Sequence, residues 1–116
     1  NKYILRTVSR EIELPLSWPV EVNHLEAAAF CKWKSTKMGI TVTLPTEDEY
    51  IRLRDESKVA SYLEWKSKKK AIANINLEDY SSCVPIDRHQ HGDFYDVIGN
   101  VWQWSRTPMY PFEGFK

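Results

Sequence analysis

Four residues that could ligate a metal alternate in the last third of the chain: Asp87, His89, His91 and Asp93. Alternate residues of an extended segment share one face, so the two imidazoles could bind a transition metal together with a carboxylate. Gly92 interrupts the run, and a third ligand would have to come from elsewhere. The pattern therefore favours a polar loop over a metal site.

A second cluster of polar residues lies in the stretch "ANINLEDYSS". The side chains of Asn74, Asn76, Glu78 and Asp79 and the carbonyl group of Ile75 are hard oxygen donors, which Ca²⁺ prefers, although their spacing does not fit an EF-hand loop. The same residue types are typical of a turn held by Asx hydrogen bonds. The spacing favours the turn over a calcium loop.

The two cysteines, Cys31 and Cys83, permit one disulfide without requiring it. Cys31 lies in "EAAAFCKW", where a free thiol packs as a small hydrophobic side chain. Few cysteines and no recognisable export signal favour reduced thiols and a cytoplasmic location.

Charge and hydropathy argue against two classes of partner. The 16 basic and 16 acidic residues cancel, and the basic run formed by Lys66 and residues 68–70 has acidic residues on both sides. Such a run is typical of a solvated surface, so we predict no nucleic-acid partner. Because no apolar run approaches the roughly 20 residues of a membrane span, we predict no membrane partner either.

Two short helices are predicted from their capping residues. Asn23 and Glu26 have the spacing of a capping box, and Gly39 is placed to end the helix that follows. Thr46 and Glu49 repeat the capping box ahead of a second helix beginning at residue 47. The predicted inward residues are Ala27, Phe30, Cys31 and Trp33 in the first helix and Tyr50, Ile51 and Leu53 in the second.

The motif "GNVWQW" predicts a short strand over residues 101–105. Trp102 and Trp104 would share one face of such a strand, because side chains two residues apart point to the same side. Gln103 would face the other way, towards the preceding turn. We expect one indole to be nearly fully buried against Phe30 and the other to be only partly covered.

Five motifs together resemble the formylglycine-generating-enzyme, or sulfatase-modifying-factor, family. They are "VEVNHLEAAAFCKWK", "LPTEDEY", "ANINLE", "FYDVIGNVWQW" and "PFEGF", in the family's order and spacing. The resemblance covers nearly the whole chain from Ser17 onward. Within the family, the stretches "NINLEDYSSCVP" and "GDFYDVIGNVWQWSRTPMYPFEGFK" look most like the central domain of the 5-histidylcysteine sulfoxide synthases of ovothiol biosynthesis.

The resemblance implies a fold and a domain organisation. The family fold is α+β and C-type-lectin-like, with two helices beside a small antiparallel sheet and much irregular loop. Residues 1–116 would then form a single partial domain, and we expect it to be a fragment of a longer multidomain enzyme.

The resemblance also implies a function. In the sulfoxide synthases, a nonheme Fe(II) held by histidines of an upstream helical domain uses O₂ to join the sulfur of cysteine to the imidazole of histidine. His24, His89 and His91 do not match those iron ligands, so no catalytic residue is assigned to this chain, and alone it is expected to be inactive. Its partners would be the upstream domain, the downstream chain and the two amino-acid substrates. The residues assigned to the wall of the substrate pocket are Trp102, Trp104, Tyr110, Phe112 and Phe115.

Two alternatives accompany this assignment: a lectin-like binding or scaffold module without catalysis, and a sulfatase-activating relative. Sulfatase activation in the family uses a downstream pair of copper-binding cysteines, and neither Cys31 nor Cys83 matches that pair. The family's first calcium site does match at Asn74 and Ile75, and less closely at Asp79. The resemblance therefore adds support for a structural Ca²⁺.

Overall fold

The computed structural model describes residues 2–59, 72–76 and 80–115 of the chain. These residues contain two helices and four short strands, which pair as two antiparallel sheets and give the α+β architecture predicted from the sequence. The elements are β1 (Ile4–Arg6), β2 (Glu11–Glu13), α1 (His24–Met38), α2 (Glu47–Glu56), β3 (Gln90–His91) and β4 (Phe94–Tyr95). The basic run at residues 66–70 lies outside the described residues, so its predicted solvation stays a prediction.

The chain divides into two compact units. Unit 1 comprises Asn1–Val20 and Glu56–Trp102, and unit 2 comprises Glu21–Asp55 and Gln103–Lys116. The four strands therefore belong to unit 1, whereas α1 and all of α2 except its last residue belong to unit 2.

Two hairpins make up the regular structure of unit 1. In the β1–β2 hairpin, Leu5 pairs with Ile12, and the Thr7 hydroxyl and N–H both donate to the carbonyl oxygen of Arg10 across the turn. In the β3–β4 hairpin, His91 pairs with Phe94, and Gly92 between them has a φ of 61°. A positive φ is one that glycine adopts without steric cost, so Gly92 suits this tight turn.

The residues that the structure describes as buried all lie in unit 1. Three of them are apolar: Ala73, Val84 and Val97. The polar ones are Ser57, Asn74 and His89. Polar side chains thus make up half of the residues described as buried, and Asn74 among them donates to the carbonyl oxygen of Ser82 and to Asn100.

Helix α1 in unit 2 begins and ends as predicted. The Asn23 side chain accepts from the N–H of Glu26 at 3.0 Å, and the Glu26 carboxylate accepts from the N–H of Asn23 at 2.9 Å. Gly39 ends the helix with a φ of 67°. One turn earlier, the Ser35 hydroxyl accepts from the N–H of Val42 at 2.8 Å and lies 2.9 Å from the carbonyl oxygen of Cys31. Ser35 thus joins the end of α1 to the chain that follows it.

Helix α2 also has the predicted capping box. The N–H of Glu49 donates to the Thr46 hydroxyl at 3.1 Å, and the N–H of Thr46 donates to the Glu49 carboxylate at 2.7 Å. That second hydrogen bond is the largest influence lowering the pKa of Glu49 below its ordinary value.

Three expectations about packing and strand structure need correction. No residue of either helix is buried: Phe30, Trp33 and Ile51 are exposed, and the other predicted inward residues are only partly covered. Phe30 packs against Trp33 on its own helix, with ring centroids 5.5 Å apart, rather than against a tryptophan of the "GNVWQW" motif. Residues 101–105, all of them described, form no strand. The N–H of Val101 donates instead to the carbonyl oxygen of Gly99 in a tight local turn.

Candidate functional site

In unit 2, the segment of residues 103–107 holds the start of α1. The indole N–H of Trp104 donates to the carbonyl oxygen of Val22 at 2.8 Å, and the Trp104 ring meets the edge of the His24 ring at a centroid distance of 5.5 Å. The Nε2 atom of His24 lies 3.2 Å from the carbonyl oxygen of Ser105. Three contacts therefore connect two consecutive residues of this segment with the capped N-terminus of α1.

The next two residues hold the start of α2 in the same way. The N–H of Arg106 donates to the carbonyl oxygen of Pro45 at 2.9 Å, and the Thr107 hydroxyl accepts from the N–H of Glu47 at 2.8 Å. Because Glu47 is the first residue of α2, this hydroxyl satisfies an N–H that has no acceptor within the helix. Residues 104–107 thus tie together the N-termini of both helices of unit 2.

Exposed aromatic side chains follow this segment. Trp104 is 49% exposed, so the prediction that one indole is nearly fully buried is wrong for this ring. Tyr110, Phe112 and Phe115 are also exposed, and the rings of Phe112 and Phe115 pack edge to face with centroids 5.4 Å apart. In unit 1, the Trp102 side chain is fully exposed. Every residue assigned to the pocket wall therefore presents apolar surface, and neither indole belongs to a core.

In unit 1, the side chain of Asn100 organises the turn that precedes Trp102. Its Oδ1 accepts from the N–H of Val84 at 2.8 Å and from Nδ2 of Asn74 at 3.2 Å. Its Nδ2 donates to the carbonyl oxygen of Val84 at 3.0 Å and to Oδ2 of Asp96 at 2.8 Å. The neighbouring Gly99 has a φ of 75°, and a Cβ at this position would lie 2.5 Å from the carbonyl oxygen of Asn74. The Gly-Asn pair is thus required by both backbone conformation and close packing.

One of the three residues assigned to a calcium site, Asn74, lies in the same network. Asn74 is buried, its Nδ2 donates to the carbonyl oxygen of Ser82 and to Asn100, and its own carbonyl oxygen accepts from the N–H of Asn100. Ile75 follows Asn74, whereas Asp79 lies outside the described residues. Calcium binding therefore stays a prediction.

Of the four alternating residues, only His91 lies in a strand, whereas Asp87, His89 and Asp93 lie in turns or a bend, as predicted for a polar loop. His91 belongs to β3, and His89, immediately before this strand, is only 6% exposed, with its Nδ1 3.4 Å from Oδ1 of Asp96. Burial, and secondarily the neighbouring His89, lowers the pKa of His91. Within residues 2–59, 72–76 and 80–115, no group of three or more His, Cys, Asp or Glu side chains is arranged to hold a metal ion.

Two further observations concern the cysteines and the length of the helices. Cys31 and Cys83 are both free thiols. Among the residues described, no helix combines the length and the apolar character needed to cross a membrane.

Comparison with known proteins decides the family. Residues 6–113 match the sulfatase-modifying factor enzyme 1-like domain (FGE-sulfatase). The chain belongs to this family. Among curated relatives, it is 29% identical over 112 residues to a hercynine oxygenase of Mycolicibacterium smegmatis, a match that covers 89% of this chain and 25% of the relative. The chain thus spans about a quarter of the length of that oxygenase.

Membership of the FGE-sulfatase family confirms the resemblance on which the sequence analysis relied, and with it the family fold. The sequence did not predict which residues Asn100 and Thr107 contact. Thr107 lies 60 residues from the helix that it caps, and Asn100 lies 16 residues from Val84. The only sequence signal for Asn100 is its position after Gly99, which indicates a turn without indicating its partner.

Proposed function

We propose that this chain is part of a nonheme-iron, O₂-dependent sulfoxide synthase that joins the sulfur of cysteine to the imidazole of histidine. Its role is to provide scaffold and part of the wall of the substrate pocket. Membership of the FGE-sulfatase family supports the proposal, as does the similarity to a hercynine oxygenase. Two free thiols agree with a cytoplasmic enzyme.

The exposed aromatic side chains are the observation that carries the assignment of the pocket wall. Large apolar side chains that stay in solvent while the adjacent backbone is firmly held are typical of a binding surface. Trp102 follows the hydrogen-bonded Asn100 turn, and Trp104 is fixed by its indole N–H to Val22. Tyr110, Phe112 and Phe115 complete the set. These rings would contact the carbon skeletons of the substrates and keep water from the reacting groups.

The iron would be supplied by another part of the enzyme. The described residues do not fit an Fe(II) site, since His24 is engaged with Ser105 and Trp104 while His89 faces Asp96. We therefore place the iron ligands in an upstream helical domain and the remaining pocket residues in downstream chain. One thiol, one imidazole C–H and one O₂ would give one sulfoxide and one water, so that O₂ takes all four electrons. No step of this reaction is assigned to a residue of this chain.

The test uses the intact protein that contains this chain. Purified protein with Fe(II), O₂, cysteine and histidine should yield the sulfoxide by mass spectrometry, together with matching consumption of O₂. The absence of product in an iron-loaded protein would contradict the proposal and favour the binding or scaffold module.

A second experiment tests the pocket wall. Trp102→Ala should raise the KM for the amino-acid substrates while leaving the melting temperature unchanged, because the side chain makes little contact with its own unit. Tyr3→Ala is the matched control, since Tyr3 is also an exposed aromatic residue of unit 1 but is not assigned to the wall. Equal KM values for the two variants would remove Trp102 from the pocket.

A further inference from the structure

The β3–β4 hairpin of unit 1 brings two imidazoles and one carboxylate together. The N–H of Asp96, after β4, donates to the carbonyl oxygen of His89, before β3, at 2.8 Å. This hydrogen bond closes the hairpin on the side opposite its turn. The side chains of the same two residues approach within 3.4 Å, from Nδ1 of His89 to Oδ1 of Asp96. Any charge on His89 therefore bears directly on hairpin closure.

The groups around the pair can be named from each neighbouring segment. The ring of Tyr80 meets the edge of the His89 ring at 6.0 Å, and Arg88 covers the Tyr80 ring at 5.2 Å while donating to its hydroxyl. Burial and the neighbouring His89 lower the pKa of His91, whereas a backbone hydrogen bond with Ile72 and the charge of Asp96 raise it, and the net change is a lowered pKa. Among the described residues named by these contacts, Asp96 is therefore the one carboxylate, and Arg88 adds a further cation.

This count of charges limits how many protons the cluster can hold. Asp96 can offset one imidazolium, and it already accepts a hydrogen bond from Asn100. The Nε2 atom of His91 is buried and has no hydrogen-bond partner among the described residues, so a proton on this atom would have no acceptor. A buried charge without a partner is strongly unfavourable. A charge on His91 is therefore unfavourable in the closed hairpin.

We propose that His89, His91 and Asp96 form an acid-sensitive lock, which keeps the β3–β4 hairpin closed while His91 is neutral and lets it open locally when the pH falls. Opening would release the Asp96 side chain from His89. Because Asp96 also accepts from Asn100, the same event would loosen the Asn100 turn of unit 1.

The direction of the pH effect follows from where the proton binds more readily. Burial lowers the pKa of His91 in the closed hairpin below its ordinary value of 6.5, which the open form regains. The open form thus binds more protons, and closure weakens as the pH falls from about 6.5 towards the lower pKa of the closed form. Between about pH 7.5 and 5.5, a histidine whose pKa is lower in the closed form shifts the equilibrium towards the open form.

Hydrogen–deuterium exchange of the intact protein tests the lock. Peptides covering residues 87–98 are compared with peptides from α1 at about pH 7.5 and 5.5, each corrected for intrinsic exchange rates. The hairpin peptides should lose more protection on acidification than the α1 peptides. An equal change in the two regions would overturn the proposal.

Variants assign the effect to one imidazole. His91→Gln should abolish the extra pH dependence of the hairpin peptides, whereas His24→Gln, which changes a histidine of unit 2, should retain it in full. Protection is compared between the two pH values within each variant, so a general loss of stability cannot imitate the result. An undiminished pH dependence in His91→Gln would exclude His91 as the sensor and overturn the lock.

Discussion

Asn100 forms hydrogen bonds with both main-chain groups of Val84, accepting from its N–H at 2.8 Å and donating to its carbonyl oxygen at 3.0 Å. A side-chain carboxamide thus pairs with the backbone of Val84 as a neighbouring strand would. Val84 is buried, and its polar groups would otherwise lack this partner inside the core of unit 1.

Loss of this carboxamide should be costly. Asn100→Ala removes four side-chain hydrogen bonds and leaves the N–H and C=O of Val84 without these partners, so we expect a loss of about 2–4 kcal/mol in the free energy of unfolding. Asn76→Ala is the matched control, because Asn76 also has a positive φ but is exposed. Urea denaturation measures both variants. Similar losses would mean that backbone conformation, rather than the network, makes Asn100 important.

Gly99 is expected to tolerate no side chain. In Gly99→Ala, the new Cβ would lie 2.5 Å from the carbonyl oxygen of Asn74 and 2.6 Å from Cγ2 of Ile75, so unit 1 would have to rearrange. Gly114→Ala meets no atom within 4 Å at a similar φ of 86°, and should cost only the about 1–2 kcal/mol of a left-handed alanine. Denaturation midpoints should therefore fall much further for Gly99→Ala. A smaller or equal loss would contradict the close approach.

The start of α2 should respond to loss of its local cap. Thr46→Ala removes the acceptor for the N–H of Glu49 and should cost about 0.5–2 kcal/mol, whereas Thr46→Ser retains the hydroxyl and most of the stability. The measurement is chemical denaturation followed by circular dichroism. No difference between the alanine and serine variants would show that the Thr107 hydroxyl alone suffices to cap this helix.

The same cap should be sensitive to acid. The pKa of Glu49 is lowered, first by the hydrogen bond from the N–H of Thr46, so its carboxylate favours the folded helix above its ordinary pKa of 4.5. This contribution is lost as the pH falls through the lowered pKa of the folded state. Glu49→Gln should flatten the acid limb of the stability curve relative to Glu47→Gln, which alters a carboxylate outside the capping box. Parallel acid limbs in the two variants would contradict this role.

Calcium should stabilise the protein if Asn74, Ile75 and Asp79 bind it. At about 100 times its dissociation constant, a ligand of the folded state adds about 2.7 kcal/mol, so the melting temperature should rise with Ca²⁺ and fall with a chelator. Asp79→Asn should reduce the shift, and Asp87→Asn, which changes an exposed carboxylate of unit 1, should leave it unchanged. A melting temperature independent of Ca²⁺ would exclude this site.

The features that sequence predicts well are local. Both capping boxes and the glycine after α1 depend on residues three or four positions apart, so their geometry follows from short stretches of chain. The strand predicted over residues 101–105 is wrong because alternation alone cannot supply a partner strand, and the chain instead makes a turn at Val101. The surroundings of His89 also depend on residues beyond its own alternating run, since Tyr80 and Asp96 approach it from either side in sequence.

The environment of the candidate site was not predictable from the sequence. The resemblance selected Trp102 and Trp104, but it gave no indication that Val22 accepts from the Trp104 indole, 82 residues away. Such a contact depends on how distant segments meet. Periodicity within a single segment does not contain that information.

The hydrogen bond between Ser35 and Val42 limits how this chain can vary in evolution. The Ser35 hydroxyl joins the last turn of α1 to Val42, so the number of residues between these two positions is fixed. Insertions or deletions in related sequences should therefore be rare at residues 36–41. They should concentrate at turns such as the one between β1 and β2, where Val8 is fully exposed and a longer loop would displace nothing.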